Sequence, residues 1–372
     1  MTTELMDLLD GASYEDKMAR AAQVIRDGGL VVFPTETVYG LGADGTSVTA
    51  SEKIYRAKGR PSDNPLILHI ADPSDAERYA YTNDTYYRLA AAFMPGPLTV
   101  ILRAKDSVPR ATRGGLDTVA LRCPAHPVAH DLILAAGVAI AAPSANLSGS
   151  PSPTVARHVV DDMNGRVDVI LNGGDSDFGL ESTIVRIDDD GALTLLRPGR
   201  ITPDDLSAVC PEVRIANAVV AALAEGEVAQ SPGMKYRHYA PTAPVVLLDG
   251  ARDACIAYLQ ARQERRPALI CYSEDIAYYR EAFAHAVIYD FGSRSDESAQ
   301  AHRLFYILRE ADKENFSCIF APTPRREGIG LALYNRMIRA SAYRIVALNA
   351  DGSVRRDTNT TNHDRGFEDN NG

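Results

Sequence analysis

The stretch Gly29-Leu-Val-Val-Phe-Pro-Thr-Glu-Thr-Val-Tyr-Gly-Leu-Gly-Ala-Asp-Gly45 joins an apolar run to a polar, glycine-rich segment. The branched residues of 29–34 predict a buried strand, and the composition of 35–45 predicts a loop after it. Apolar residues recur with helical spacing over residues 14–27, so a helix is expected before this strand. The expected order is therefore helix, strand and then loop.

The same alternation continues outward from this stretch. Helical spacing recurs over residues 50–57 and 75–93. Apolar, branched runs predict further strands at 65–70, 98–102, 118–122, 138–141, 169–172, 183–188 and 192–197. About the first two hundred residues therefore predict a mixed α/β domain.

A proline- and glycine-containing segment, Ser231-Pro-Gly-Met-Lys-Tyr-Arg-His-Tyr-Ala-Pro241, separates this region from a more regular one. It predicts a linker, and a short helical pattern over 203–225 precedes it. Beyond it, strands at 245–248, 268–272, 287–289 and 318–320 alternate with helices at 252–262, 276–285, 299–311 and 330–341. This order is typical of a parallel sheet covered on both faces, a smaller Rossmann-like domain.

The expected organisation has four parts. Residues 1–208 form the first domain, 209–241 a linker or lid, 242–349 the Rossmann-like domain and 350–372 a disordered tail, because the tail has almost no large apolar residue.

Composition limits the function classes. The 372 residues carry 39 Lys and Arg against 49 Asp and Glu, a net charge of −10, which disfavours a protein that coats nucleic acid or an anionic membrane. The longest nearly unbroken apolar stretch, 132–143, is too short to span a bilayer, and the start lacks a secretory pattern. We expect a cytoplasmic protein without membrane contact. The five scattered cysteines predict reduced, structural thiols.

Gly40, Gly42 and Gly45 match the dinucleotide fingerprint GxGxxG, but six polar or turn residues separate them from the preceding strand. The fingerprint should follow the strand directly, so the match is weak. The alternative is a glycine loop that allows close backbone approach or a turn. The GxxxxGK[ST] phosphate loop is absent from the sequence, so a nucleotide would be held by another arrangement.

The segment Lys58-Gly-Arg-Pro-Ser-Asp-Asn-Pro65 is more informative, because two cations and an amide precede the strand that leads to His69. Arg and Lys at such a place suit a polyphosphate, although a solvated basic turn is the alternative. Hydroxyls and an amide in residues 142–154 could bind an anion or an amino acid, or form an ordinary polar loop. Residues 172–175 and 179–184 repeat this theme, so several loops suggest a broad cleft.

The sequence gives little indication of metal binding or of covalent catalysis. Cys123, His126 and His130 could be imagined around a metal, but Pro124 and Pro127 interrupt the helix that would align the histidines, which favours structural roles. The sequence has no GxSxG nucleophile motif, and no pair of carboxylates can be placed together from spacing.

Taken together, these motifs resemble the L-threonylcarbamoyladenylate synthases of the YrdC/Sua type. The resemblance rests on residues 33–42, 58–69, 142–149 and 181–184, in that order, and on the linker of the longer, two-domain form. It implies a YrdC-like twisted, mixed α/β domain with an open cleft, followed by the smaller Rossmann-like domain. In the implied reaction, L-threonine and bicarbonate or CO2 give a carbamate that attacks the α-phosphate of ATP, yielding threonylcarbamoyl-AMP and pyrophosphate.

The resemblance also implies site residues and partners. Mg²⁺ would accompany ATP, and the product would pass to a separate tRNA threonylcarbamoyltransferase machinery, with weak tRNA contact as a further option. Lys58 and Arg60 would be central to catalysis. Threonine would be held by Thr37, His69, Arg122, Ala142 and Ser182, and the nucleotide by Lys58, Arg60, Asn64, Thr118, Ser144, Ser152, Arg197, Tyr236 and His238.

Two alternatives remain at this point. One is a non-catalytic RNA-binding or ribosome-associated module, since phosphate-binding cations serve either purpose. The other is a hydrogenase-maturation carbamoyltransferase, which carries acylphosphatase-like and zinc-finger regions that residues 1–28 and the cysteine pattern do not match.

Overall fold

The computed structural model of the protein describes residues 2–221, 231, 239–262 and 264–355. The predicted nucleotide residues Tyr236 and His238 lie outside these residues, as do residues 356–372 of the predicted tail.

The described residues form two β-sheets with helices packed against them. The larger sheet contains β1 (Glu4–Asp7), β2 (Val31–Phe33), β3 (Gly40–Asp44), β4 (Ile67–His69), β5 (Leu98–Arg103), β6 (Thr118–Arg122), β7 (Ile140–Ala141), β8 (Val169–Asn172), β9 (Thr183–Ile187), β10 (Leu193–Arg197) and β11 (Val213–Ile215). Its helices are α1 (Tyr14–Arg26), α2 (Val48–Lys58), α3 (Asp84–Phe93), α4 (Pro127–Ala136), α5 (Ala156–Met163) and α6 (Pro203–Val209).

The smaller sheet follows the linker. It contains β12 (Val245–Asp249), β13 (Pro267–Cys271), β14 (Val287–Asp290), β15 (Cys318–Pro322) and β16 (Ile345–Ala347). Its helices are α7 (Arg252–Arg262), α8 (Ile276–Ala282), α9 (Glu297–Asp312) and α10 (Gly330–Ala340). Short 3-10 turns lie at Pro73–Arg78, Asn217–Val219 and Ser273–Asp275.

Sheet topology confirms the predicted fold class. The larger sheet is mixed, with the order β1-β8-β2-β3-β7-β4-β6-β5-β9-β10-β11. The smaller sheet has the order β14-β13-β15-β12-β16, and all its neighbouring strands are parallel. The protein is a two-domain α/β structure with a mixed first sheet and a Rossmann-like second sheet.

The glycine-rich segment after β2 is a strand, not only the predicted loop. β3 pairs antiparallel with β2, with Gly42 opposite Val31. A Cβ on Gly42 would lie 2.6 Å from Phe33 Cε1 and 2.7 Å from Ile140 Cγ2, so only glycine fits this strand between those side chains. These glycines therefore serve close packing and not a dinucleotide loop.

Two other sequence predictions were wrong in detail. Residues 75–93 are not one helix, because the 3-10 turn at Pro73–Arg78 ends before α3, which Asn83 caps through a 2.9 Å hydrogen bond from Tyr86 N. Residues 203–225 do not form one helical segment either: α6 ends at Val209, and β11 then pairs with β10. In both places the helical spacing of apolar residues continued past the point where the helix itself begins or ends.

Apolar residues cover both faces of the larger sheet. Along β2, Val32 joins one buried cluster, whereas Val31 and Phe33 join the cluster on the other face. The alternation follows from the two-residue period of a strand. Burial of both faces explains why the apolar run 30–33 is continuous.

The two domains share a hydrophobic core. Val38, Phe178 and Leu180 from the first domain pack in one buried cluster with residues of α9 and α10. A Cβ on Gly179, whose φ is +85°, would lie 2.7 Å from His302 Cα, so the backbones approach closely here. The second domain therefore packs directly against the loops 35–38 and 177–180.

All five cysteines are buried and free. Within the described part of the chain, every helix is too short or too polar to cross a membrane.

Candidate active site

The loops singled out by the sequence meet in one cleft of the first domain. β4 and β6 are parallel neighbours with His69 opposite Arg122, and β7 places Ile140 beside His69 on the other side. The chain after β7 adds Ala142, and the turn between β2 and β3 adds Thr37. These strand ends border a cleft of about 660 Å³ that opens to solvent.

Most predicted site residues lie at this cleft. Those that line it are Thr37, Lys58, Arg60, His69, Arg122, Ala142, Ser144 and Arg197. Three more are buried next to a lining residue: Asn64, Ser152 and Ser182. Thr118 is the exception, because it begins β6 four residues before Arg122 and borders a different surface depression.

Lys58 is the last residue of α2 and points into the cleft. Gly59 ends the helix with a φ of +62°, a left-handed conformation that glycine adopts without strain. The Lys58 ammonium donates hydrogen bonds to the carbonyl oxygens of Ser144 and Asn146. Burial, together with the nearby charge of Arg60, holds the pKa of Lys58 well below its usual range. An anion in the cleft would favour the charged ammonium.

Arg60 and Asn64 carry unused hydrogen-bonding capacity. Arg60 Nη2 donates to the carbonyl of Pro65 at 3.1 Å, but its Nε has no hydrogen-bond partner among the described residues. The same is true of both amide atoms of Asn64, whose exposure is 1%. Burial lowers the pKa of Arg60 to about 10, so it stays charged near neutral pH. Buried polar groups without protein partners indicate a place for a polar ligand.

His69 and Arg122 form the opposite side of the cleft. Burial, aided by the charge of Arg122, lowers the pKa of His69 to about 3, so the imidazole is neutral. Arg122 Nη2 lies 2.7 Å from Glu36 Oε1. Burial raises the pKa of Glu36, but the charge and hydrogen bonding of Arg122 outweigh it and the pKa is lowered overall. A neutral imidazole beside a buried ion pair can recognise a small zwitterion such as an amino acid.

Arg197 is held at the end of β10 by Ser182. Its Nε donates to the Ser182 carbonyl at 2.9 Å and its Nη2 to the Ser182 hydroxyl at 3.0 Å. That hydroxyl also lies 2.8 Å from Thr99 Oγ1. Burial lowers the pKa of Arg197 to about 10, so a charged guanidinium is fixed at the cleft wall.

The charges in and beside the cleft do not balance. Lys58, Arg60, Arg122 and Arg197 line the cleft, whereas Glu181 is the one carboxylate among the described residues that line it, and Glu36 pairs with Arg122 beside them. Confining like charges in a poorly solvated place is unfavourable until a counter-charge enters. The cleft is therefore suited to a polyanion.

Sequence reasoning missed four residues of this region: Glu36, Glu181, Tyr239 and Arg336. The two glutamates were visible inside the motifs, but nothing in the spacing showed that a carboxylate belongs in an anion site. Tyr239 lines the cleft from the end of the linker. Arg336 belongs to α10, whose apolar pattern gave no sign that a charged residue faces the first domain.

No group of three or more His, Cys, Asp or Glu side chains suited to a metal occurs in the residues that the structure describes. His126 instead accepts a hydrogen bond from Val128 N at 3.2 Å at the start of α4, as expected for a structural role.

Comparison with known proteins adds independent findings. Residues 23–199 match the Sua5/YciO/YrdC family, described as "Telomere recombination", and residues 201–342 match the "Threonylcarbamoyl-AMP synthase, C-terminal domain". The chain is 42% identical to the threonylcarbamoyl-AMP synthase of Pyrococcus abyssi over 338 residues, covering 89% of this chain and 96% of that protein. It is 41% identical to the Bacillus subtilis enzyme of the same name over 347 residues, covering 92% and 98% respectively.

A solved structure shows the same two-domain arrangement. The crystal structure of P. abyssi Sua5 complexed with L-threonine superposes with a TM-score of 0.84 at 38% identity, covering 94% of this chain and all of that one. This similarity covers both domains, including the one that holds the cleft. The chain belongs to the threonylcarbamoyl-AMP synthase family, in its two-domain Sua5 form.

Proposed function

We propose that this cleft makes threonylcarbamoyl-AMP from L-threonine, bicarbonate or CO2, and ATP, with release of pyrophosphate. Family membership supports the activity, since relatives bearing that name match across nearly their full lengths. The structural observation that carries the proposal is the set of four basic side chains, Lys58, Arg60, Arg122 and Arg197, beside a neutral histidine in a single cleft. One side suits a triphosphate and the other an amino acid.

L-threonine would bind against Thr37, His69, Arg122, Ala142 and Ser182. A crystal structure of P. abyssi Sua5 holds L-threonine, which supports an amino-acid subsite in this chain. Arg122 would pair with the threonine carboxylate, while Glu36 at 2.7 Å holds the guanidinium in place. The neutral His69 and the Thr37 hydroxyl would offer hydrogen bonds without adding charge.

ATP would lie across Lys58, Arg60, Asn64, Ser144, Ser152 and Arg197. The unpartnered amide of Asn64 and Nε of Arg60 would gain partners on binding. Tyr236 and His238 remain proposed contacts from the linker. Thr118 would contact the nucleotide only if ATP extended along β6, since it lies on the same strand as Arg122 but away from the cleft.

The chemical step is a displacement at phosphorus. The threonine amine adds to CO2 and loses a proton to give the carbamate. A carboxylate oxygen of this carbamate then forms a bond to the α-phosphorus, while the bond from that phosphorus to the α,β-bridging oxygen breaks and its electron pair leaves with pyrophosphate. The chain contributes alignment and positive charge, which are the main demands of such a transfer. Lys58 and Arg60 would stabilise charge on the phosphates, and no covalent bond to the enzyme is needed.

A divalent cation, which we expect to be Mg²⁺, would accompany ATP. The residues that the structure describes do not form a carboxylate cage for it, because Glu36 and Glu181 are each paired with an arginine. The ion would be held by phosphates and water, as is common for Mg²⁺.

Wider assignments follow from the same proposal. The product, a labile mixed anhydride, would be consumed by a transferase acting on tRNA, and direct tRNA contact would be weak at most. We also propose the division into a catalytic domain (1–208), a linker or lid (209–241) whose strand β11 pairs with the sheet of the catalytic domain, a Rossmann-like domain (242–349) and a tail.

The proposal is tested by pyrophosphate release from ATP with Mg²⁺, omitting threonine or bicarbonate in turn. Release should need both co-substrates and should fall about 100-fold or more in Lys58→Ala and Arg60→Ala, as for loss of a charged transition-state contact. Lys53→Ala, an exposed lysine of the same helix, is the matched control and should retain activity. ATP turnover that is indifferent to threonine would refute the proposal.

A further inference from the structure

Helix α10 of the second domain carries three buried polar side chains that face the first domain. Asn335, Arg336 and Arg339 are 3%, 0% and 5% exposed. Asn335 Nδ2 donates to the carbonyl of Val219 at 2.6 Å, and Arg339 Nη2 donates to the carbonyl of Ala218 at 2.7 Å. These two contacts anchor the segment that leads into the linker. Arg336, between them, makes a different kind of contact.

Arg336 pairs with a carboxylate of the cleft. Its Nε donates to Glu181 Oε2 at 2.8 Å, and its Nη1 is occupied by Asn335 Oδ1 at 2.8 Å. Glu181 lines the cleft, and its other oxygen accepts a hydrogen bond from Ser152 Oγ at 2.5 Å. A continuous chain of polar contacts therefore runs from the second domain to a proposed nucleotide contact.

Without a positively charged partner, the carboxylate of Glu181 would repel ATP. It is a buried carboxylate beside the cations that are to receive a triphosphate, and like charges in a poorly solvated cleft repel strongly. Arg336 is fully buried, and its guanidinium is fixed by Glu181, by Asn335 and by the ring of Tyr239 at 5.6 Å. A guanidinium held in this way can cancel the Glu181 charge without competing for the phosphates.

We propose that Arg336 is a positioning residue of the nucleotide site, contributed by the second domain, which neutralises Glu181, holds it against Ser152 and so admits the triphosphate. The inference rests on the proposed function only in placing ATP in this cleft. It gives the second domain a defined part in the chemistry of the first.

Removal of Arg336 should also make nucleotide binding depend on pH. Burial raises the pKa of Glu181, and the charges of Arg336 and Arg197 outweigh it so that the pKa is lowered overall. Without Arg336 the pKa of Glu181 rises, and the carboxyl becomes neutral as pH falls. The groups that face Glu181 from the surrounding elements are Arg336, Arg197, Ser152, Tyr239 and Lys58.

The test is the Kd of a non-hydrolysable ATP analogue for the full-length protein and four variants, measured by calorimetry. Arg336→Met should weaken binding by about 10- to 100-fold, as expected for leaving a buried charge unpaired. The Arg336→Met/Glu181→Gln double variant should return to within about 3-fold of the parent, because neither charge remains. Glu181→Gln alone should bind the analogue as tightly as the parent or more tightly. The deficit of Arg336→Met should shrink as pH is lowered.

Arg339→Met is the matched control. It removes another buried arginine of the same helix, whose Nη2 donates to the carbonyl of Ala218, so it should lower the Tm and change the Kd by less than about 3-fold. If Arg336→Met fails to fold, the Kd values of Glu181→Gln and of the double variant still test the proposal.

Two outcomes overturn the proposal. A double variant that binds the analogue no better than Arg336→Met would show that charge compensation is not the role of Arg336. Weakened binding in Glu181→Gln would show that Glu181 itself supports the ligand. The binding readout is independent of turnover, so tight ATP binding with threonine-independent hydrolysis would refute the synthase function and leave this inference standing.

Discussion

His69 shows at the residue scale how burial sets the chemistry of one side chain. It is 3% exposed at the end of β4, with Nδ1 3.2 Å from the Ile67 carbonyl. Its folded-state pKa of about 3 lies below the usual 6.5, so the unfolded chain binds the proton more tightly. Acidification therefore favours unfolding across the pH range between those two values.

We predict that His69 contributes measurably to the loss of folding stability at acid pH. Between about pH 6.5 and 4.5 the free energy of unfolding of the parent should fall about 2 kcal/mol more than that of His69→Asn, at 1.36 kcal/mol per pH unit. Denaturant unfolding across that pH range measures the difference. His285→Asn, at an exposed histidine, should follow the parent. Parallel curves for the parent and His69→Asn would contradict the buried, neutral state of His69.

Lys58 leads to a second prediction, on proton linkage. Burial lowers its pKa in the free cleft, and an arriving triphosphate restores the charged form, so ATP binding should take up protons. Calorimetry of the ATP analogue in two buffers of different ionisation heat measures this uptake. Lys58→Arg should bind with little uptake, because arginine is charged throughout. Equal uptake in both proteins would contradict the prediction.

β3 shows the limits of sequence reading at the scale of an element. Gly42 lies between Phe33 and Ile140 without room for a Cβ. We predict that Gly42→Ala lowers the free energy of unfolding by about 1–3 kcal/mol, the usual cost of overpacking. Phe33→Leu removes the ring atom 2.6 Å from that Cβ, so the double variant should cost less than the sum of the two single changes. Chemical denaturation of all three proteins provides the comparison, and strict additivity would contradict the packing argument.

Local chemistry explains which elements could be predicted. The strands β6 and β8 and the helix α7 match their predicted bounds, because each has a clear period and a nearby stop signal. β3 was missed because its packing between Phe33 and Ile140, and not its own composition, makes glycine suitable for this strand. The short strands β1 and β11 are edge elements with partly exposed faces, so they carry little alternation.

The site residues also fall into two groups, those that could be predicted from the sequence and those that could not. Lys58, Arg60 and Asn64 could be proposed from one loop, because cations and an amide between a helix and a strand suggest phosphate binding. The approach of Glu181 to Arg336 could not be predicted, since these residues are 155 positions apart and meet only when the domains dock.

At the scale of the whole molecule, the two domains are joined by a shared core and by buried ion pairs. Arg309 of α9 donates to Asp162 of α5 at 2.6 Å and to the carbonyl of Pro151 at 2.9 Å. We predict that Arg309→Met lowers the free energy of unfolding by about 3 kcal/mol, because it removes the arginine that pairs with the largely buried Asp162 and leaves that carboxylate with only its hydrogen bond from Leu147 N. Chemical denaturation checks this value.

The surface pair Arg266–Glu314 serves as the control. Both of its side chains are about half exposed, so Arg266→Met should change stability by less than about 1 kcal/mol. Equal effects of the two substitutions would contradict the view that the domain interface, and not ion pairing in general, holds the molecule together.

The most direct test of the central claim is a crystal structure of the full chain with L-threonine and a non-hydrolysable ATP analogue. We predict both ligands in the one cleft, with the threonine carboxylate on Arg122 and the phosphates on Lys58 and Arg60. The Glu181–Arg336 pair should remain intact beside them. A nucleotide bound elsewhere, or threonine away from Arg122, would contradict the proposed site.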